Sequence, residues 1–185
     1  MRAALLLGLL LAASGLRGAE PLLDRALAAE RRHDSRAALE LFLQLERERP
    51  EDPFVLQKVA QQYSDLIVDL ADVEEKRRHA RAALAYAERA AALAPDNAVN
   101  ALSVAIAHGK LATYSDTRTK VKYSRLVKEE AERALRLDPG YAWAHHVLGR
   151  WHREVADLGA TARFLVKLFY GGLPDASVDA AVAHL

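Results

Sequence analysis

An all-α right-handed solenoid of helical hairpins is the fold this sequence predicts, on three observations. Four similar segments with helical apolar spacing are each followed by a proline, at Pro50, Pro95, Pro139 and Pro174. The first three prolines are 45 and 44 residues apart and the last follows after 35. Spacings of this size mark stacked helix pairs, each too small to bury its own apolar face. Apolar residues make up 51% of the 185, with alanine dominant and aromatics at only 6%, which favours helix and close helix packing. No β-branched run alternates strictly with polar residues, so no sheet is expected.

The elements follow in order. Pro21 to Arg32 is a first helix, with Leu22, Leu23, Ala26, Leu27 and Ala29 along one stripe. His33-Asp34-Ser35 is a turn with N-cap chemistry, and Ser35 to Glu48 carries Ala38, Leu39, Phe42 and Leu45 at helical spacing. Pro50-Glu51-Asp52-Pro53 breaks the chain before a third helix, Phe54 to Leu70. Asp72 caps a fourth helix running to Ala94, with Glu75 completing a capping box and Glu74 and Arg78 as i,i+4 partners on a wet face. Asp96-Asn97 opens a fifth, Ala98 to Thr113, and Ser115 or Asp116 caps a sixth that reaches Leu137. The fourth and sixth helices, about 22 residues each, account for the long period. Asp138-Pro139-Gly140 precedes a seventh helix, Ala142 to Ala156. Gly159 turns the chain into an eighth, Ala160 to Tyr170, stopped by Gly171-Gly172. Ser177 caps a last segment ending in the apolar run Val182 to Leu185, which favours self-association if left uncovered. The array therefore comprises about four hairpins in one domain, residues 20–185.

Residues 1–19 are set apart. Arg2, an apolar run from Ala3 to Ala13 and then small residues have the form of a secretory signal peptide, with cleavage after Ala19 or after Ser14. Eleven apolar residues are too few to span a bilayer, which needs about 20. The expected compartment is exported, periplasmic or secreted. An uncleaved membrane-anchoring N-terminus is the alternative.

Of 26 basic residues, Arg2 and Arg17 lie in this leader, leaving 24 against 25 acidic ones. A near-neutral domain lacks the basic footprint of nucleic-acid binding. With no cysteine in the chain, disulfides, thiolate metal sites and cysteine nucleophiles are excluded.

The repeat units resemble tetratricopeptide repeats. Ala38, Phe42, Leu45 and Pro50 carry the second-helix pattern, repeated by Ala87, Ala90 and Pro95 and by Ala131, Ala134 and Pro139. Leu148-Gly149 with His152 matches the first-helix signature, and Ala60, Ala105 and Gly149 fill the small position at the helix crossing. His145 stands where the family usually has Trp. A narrower resemblance, over residues 55–182, is to the regulator of microtubule dynamics family and its bacterial relatives. It is carried by residues 105–112, 127–134, 144–152 and Leu168-Phe169-Tyr170-Gly171-Gly172-Leu173-Pro174. This resemblance implies the fold. The link of eukaryotic members to microtubules is not carried over to an exported protein.

Candidate chemistry is sparse. His145, His146 and His152 lie close together, with His108 in the matching slot one repeat earlier. The helical H-E-x-x-H spacing is absent, so these rings are expected as packed or hydrogen-bonded core, with a histidine-based metal-binding or hydrolytic site as the competing reading. No G-x-S-x-G turn or Gly-rich phosphate loop occurs, so no catalytic residue, metal site or cofactor is assigned. Trp143 and Trp151 are expected in the core, with Trp143 alternatively an interface anchor. The binding surface of such arrays is the concave wall built by the first helix of each hairpin. Helical spacing assigns to it Gln57, Gln61, Ile106, Lys110, His146, Arg150 and Arg153, a mixed polar surface with a basic end suited to an extended acidic peptide, because Arg forks pair with carboxylates. The expected function is a non-catalytic scaffold for a protein or peptide partner, with a self-assembling structural unit as a further alternative.

Overall fold

The structure, a computed structural model, describes residues 21–184, so the expected leader lies outside the described residues. All regular structure among them is helical. Helix α1 covers residues 21–31, α2 Ser35–Glu48, α3 Pro53–Leu66, α4 Val73–Leu93, α5 Ala98–Thr113, α6 Thr117–Leu137, α7 Ala142–Ala156, α8 Ala160–Tyr170 and α9 Val178–Ala183. The third helix stops earlier than predicted. A 3₁₀ turn, Ile67–Asp69, tightens its end, and Leu70 is already extended.

Five of the helix starts, those of α2 to α6, have a local cause in a side-chain cap. Asp34 accepts from the Ala37 N–H, Asp72 from Glu75 and Asp116 from Thr119, while Asp52 and Asn97 each accept from two first-turn N–H groups. Such caps satisfy donors the helix cannot. At Asp72 only this forward bond of the expected capping box is made, and Glu74 pairs with Arg77 rather than Arg78.

The helix ends repeat more closely still. Arg49, Ala94 and Asp138 share φ near −137° and donate to the carbonyls of Leu45, Ala90 and Ala134. Each precedes a proline, which disfavours the helical region for the residue before it. Arg89 then reaches back to the Pro50 carbonyl (3.0 Å), and Arg133, at the same position of the next repeat, to the Pro95 carbonyl (2.7 Å). Each of these two proline breaks is thus latched by the second helix of the following repeat.

The core is a ladder of matched positions. Phe42, Ala87 and Ala131 form one row and Leu45, Ala90 and Ala134 another, all fully buried. Ala60 packs with Ala87 and Ala91, and Ala105 with Ala131 and Ala134. Asn100, also buried, donates to the Ala90 carbonyl at 3.1 Å and ties the entry of α5 to the end of α4.

The expected fourth hairpin is not formed. α8 makes no packing contact with α7 and touches the body only through α6, whereas α9 packs on α7. Two features explain this. Where the second helices carry Ala131 and Ala134 before their proline, α8 carries Val166 and Phe169, too large for the close seat, and Leu168 stands where Arg133 makes the latch. In addition, α9 lies against Gly149, where an added Cβ would meet the Ala181 carbonyl at 3.2 Å. Gly171 stops α8 in the left-handed conformation (φ 77°), as expected of the Gly pair.

Gly149→Val should therefore dislodge α9. Amide exchange over Val178–Ala183 is expected to accelerate by about tenfold or more, with α3 to α6 unchanged. Unchanged exchange in α9 would contradict the seat described.

Candidate functional site

Counting from the small crossing residues Ala60, Ala105 and Gly149 places α3, α5 and α7 in one register, and α3 packs on α5 and α5 on α7. Three rows then face away from the second helices. The first is Phe54, Val99 and Trp143, each the second residue of its helix, exposed by 45, 41 and 65%. The second is Gln61, Ile106 and Arg150, and the third Asp65, Lys110 and Glu154.

Contacts among these side chains tie them together. Lys58 bonds Glu30 of α1 at 2.7 Å and Gln61 at 3.4 Å, and its ammonium lies 5.7 Å from the Phe54 ring centroid. Partial burial pushes the Asp65 carboxyl above its ordinary range, while Lys110 across the helix interface pulls it down and Glu30 adds to the rise. The carboxyl is thus more readily protonated than a free one, burial outweighing the pull of Lys110 and Lys58.

The predicted residues fare unequally. Gln61, Ile106 and Lys110 line the wall, half-buried. Gln57 does not face a partner. It is buried, and its amide donates to the Ser103 hydroxyl at 3.2 Å, so it joins α3 to α5 because the neighbouring helix covers it. His146 is exposed and meets the Trp143 ring edge-on at 6.0 Å. Arg150 and Arg153 are exposed, but Arg150 donates to Glu154 at 2.7 Å, so the expected basic end is partly neutralised. Exposed pairs of this kind contribute only about 0–1 kcal/mol and exchange readily. Trp143 is exposed rather than core, whereas Trp151 is buried and donates to the Ser124 carbonyl at 2.8 Å. Sequence reading offered Trp143 as an alternative to core but missed Phe54 and Val99, although the equal offset of each from its small crossing residue was there to be found. It also missed Asp65.

The histidines divide differently from their spacing. His145 and His184 approach Nδ1 to Nδ1 at 2.9 Å, so one donates and the other accepts, and His152 stacks on His184 at 5.7 Å. His145 also bonds the Pro139 carbonyl at 3.0 Å. Among the described residues no group of three or more His, Cys, Asp or Glu side chains is placed to hold a metal ion. His108 is buried against Tyr123, with ring centroids 5.4 Å apart, beside an open cavity of about 420 Å³ between α4, α5 and α6. Burial, helped by Lys122, lowers its pKa from 6.5 to about 4.

The chain and its fold have counterparts among known proteins. A family model described as Regulator of microtubule dynamics protein 1-3 matches residues 22–185, most of the chain. The chain belongs to this family. It is 32% identical to Regulator of microtubule dynamics protein 3 of Xenopus laevis over 129 residues, which is 70% of this chain and 28% of that protein. It is 24% identical to protein 2 of Bos taurus, over 69% of this chain and 31% of the relative. The chain thus spans about a third or less of the length of these relatives. The crystal structure of a thermophilic TPR protein from Thermus thermophilus matches with a TM-score of 0.66 at 19% identity, covering 89% of this chain and 73% of that one, which shows the fold alone. In this family member, then, the tetratricopeptide-like array is established.

The buried rings generate a pH prediction. Between pH 6.5 and about 4 the unfolded chain binds a proton at His108 that the folded chain excludes, so stability falls as pH drops through this window. His152 and His184, lowered mainly by burial, act in the same direction. Urea midpoints should therefore fall from pH 7 to pH 5, and His108→Gln should flatten that dependence. An identical slope in the variant would contradict neutral burial of the ring.

Proposed function

We propose that this chain is a non-catalytic adaptor that holds an extended segment of a partner protein along α3, α5 and α7. The single observation that carries this reading is the in-register row of Phe54, Val99 and Trp143, three large apolar side chains exposed at equivalent positions of successive first helices. Exposed aromatic and apolar residues at regular spacing suit the alternating anchors of an extended peptide. Beside them Lys110 and Arg153 offer charge for a partner carboxylate, and Arg150 can exchange Glu154 for one. Gln61 and Ile106 supply the floor between anchors.

The tetratricopeptide-like fold and the family support a protein-interaction role. The partner segment, its acidic character and an exported setting are the proposal's own content, the last resting on the leader-like residues 1–19. The function in the relatives' names forms no part of this reading, because an exported chain would not meet microtubules.

The test is capture from the native envelope extract by the tagged chain, read by mass spectrometry, followed by affinity measurement on the captured partner. Phe54→Ala with Trp143→Ala should weaken that partner by about tenfold or more, and Arg150→Glu with Arg153→Glu by more than about tenfold if its segment is acidic. Unchanged affinity in both double variants would overturn the groove assignment.

A further inference from the structure

The surface left after the wall is assigned is unlike the rest of the molecule. α8 leaves Phe164, Leu168 and Phe169 exposed by 62 to 64% and Leu165 by 44%, and none of its residues is buried. These four positions fall within one arc of the helix, with Arg163 and Lys167 on the opposite side. The adjoining half of α6, residues 117–128, carries five cations and no acid, and α8 carries two cations and no acid. For a chain with 26 basic and 25 acidic residues this is a local excess. Glu129 ends the basic stretch of α6.

The two basic stretches meet. An open cavity of about 280 Å³ lies between α6 and α8, lined by Arg118, Val121, Lys122, Arg125, Phe169 and Tyr170. Arg125 holds the junction, its guanidinium donating to the carbonyls of Tyr170 at 2.5 Å and Gly172 at 2.9 Å. Arg118 and Lys122 are exposed and enter no ion pair among the described residues.

From this juxtaposition we infer that α8 and the first half of α6 form a docking face for an anionic lipid bilayer. Phe164, Leu165, Leu168 and Phe169 enter the boundary between headgroups and acyl chains, while Arg118 and Lys122 meet lipid phosphates. The cavity at Phe169 admits a phosphate-bearing headgroup. A second copy of this chain is a poor occupant, because its own cations would oppose these. This face would attach at the interface; no helix among the described residues is long and apolar enough to cross a membrane.

The experiment is co-sedimentation of the purified chain with phosphatidylcholine vesicles, with and without phosphatidylglycerol. Binding is expected only with the anionic lipid and should weaken in about 0.5 M salt, where charges are screened within a few ångströms. Phe164→Ser with Leu168→Ser, and separately Arg118→Glu with Lys122→Glu, should each lower vesicle affinity by about tenfold or more. All four side chains are exposed or partnerless, so the circular dichroism spectrum should not change. Equal binding to both vesicle types, affinity unchanged in both double variants, or binding of an acidic protein or RNA without vesicle binding would overturn the inference. Because neither double variant touches α3, α5 or α7, the result is independent of the groove reading.

Discussion

Ala60 against Ala87 and Ala91, and Ala105 against Ala131 and Ala134, fix how closely the first and second helices of this array can approach. At such crossings a methyl group is the largest side chain the spacing accommodates, because interiors are close-packed and an added methylene must be absorbed by moving a helix. This approach sets the rotation of each first helix about its axis. That rotation in turn brings Phe54, Val99 and Trp143 onto one line. The arginine latches, Arg89 to Pro50 and Arg133 to Pro95, tie each second helix to the proline break of the repeat before it.

The same constraint explains where the array stops repeating. α8 has Phe169 at the position of Ala134 and Leu168 at the position of Arg133, and lacks both the close seat and the latch. α9 takes the place beside Gly149 instead, and Arg125 pins the strand of chain between them. A helix excluded from the stack by its own side chains leaves its apolar arc outward. The basic half of α6 beside it gives that arc a chemical preference.

Much of this was legible in the chain. Proline spacing, cap residues and alanine rows define the helices to within a few residues, because those signals act locally. What sequence could not supply was which helices pack together. α7 and α8 have the lengths and the turn of a hairpin, and only the volumes at Val166 and Phe169 argue against one. Gln57 shows the same limit. Its helical position is that of a wall residue, but a neighbouring helix covers it and Ser103 takes its amide. Trp143 reads as core from sequence because large aromatics are usually buried, and the close approach of His145 to His184 needs α9 to fold back on α7. Asp65 carries no motif at all, and its raised carboxyl arises from burial and from Glu30 on another helix, against the opposing pull of Lys110.

The central claim is that the first helices act together as one recognition surface. Amide exchange of the chain with and without its captured partner tests it most directly. The account predicts new protection gathered in α3, α5 and α7, with α2 and α4 unchanged. Protection confined to the second helices would contradict it.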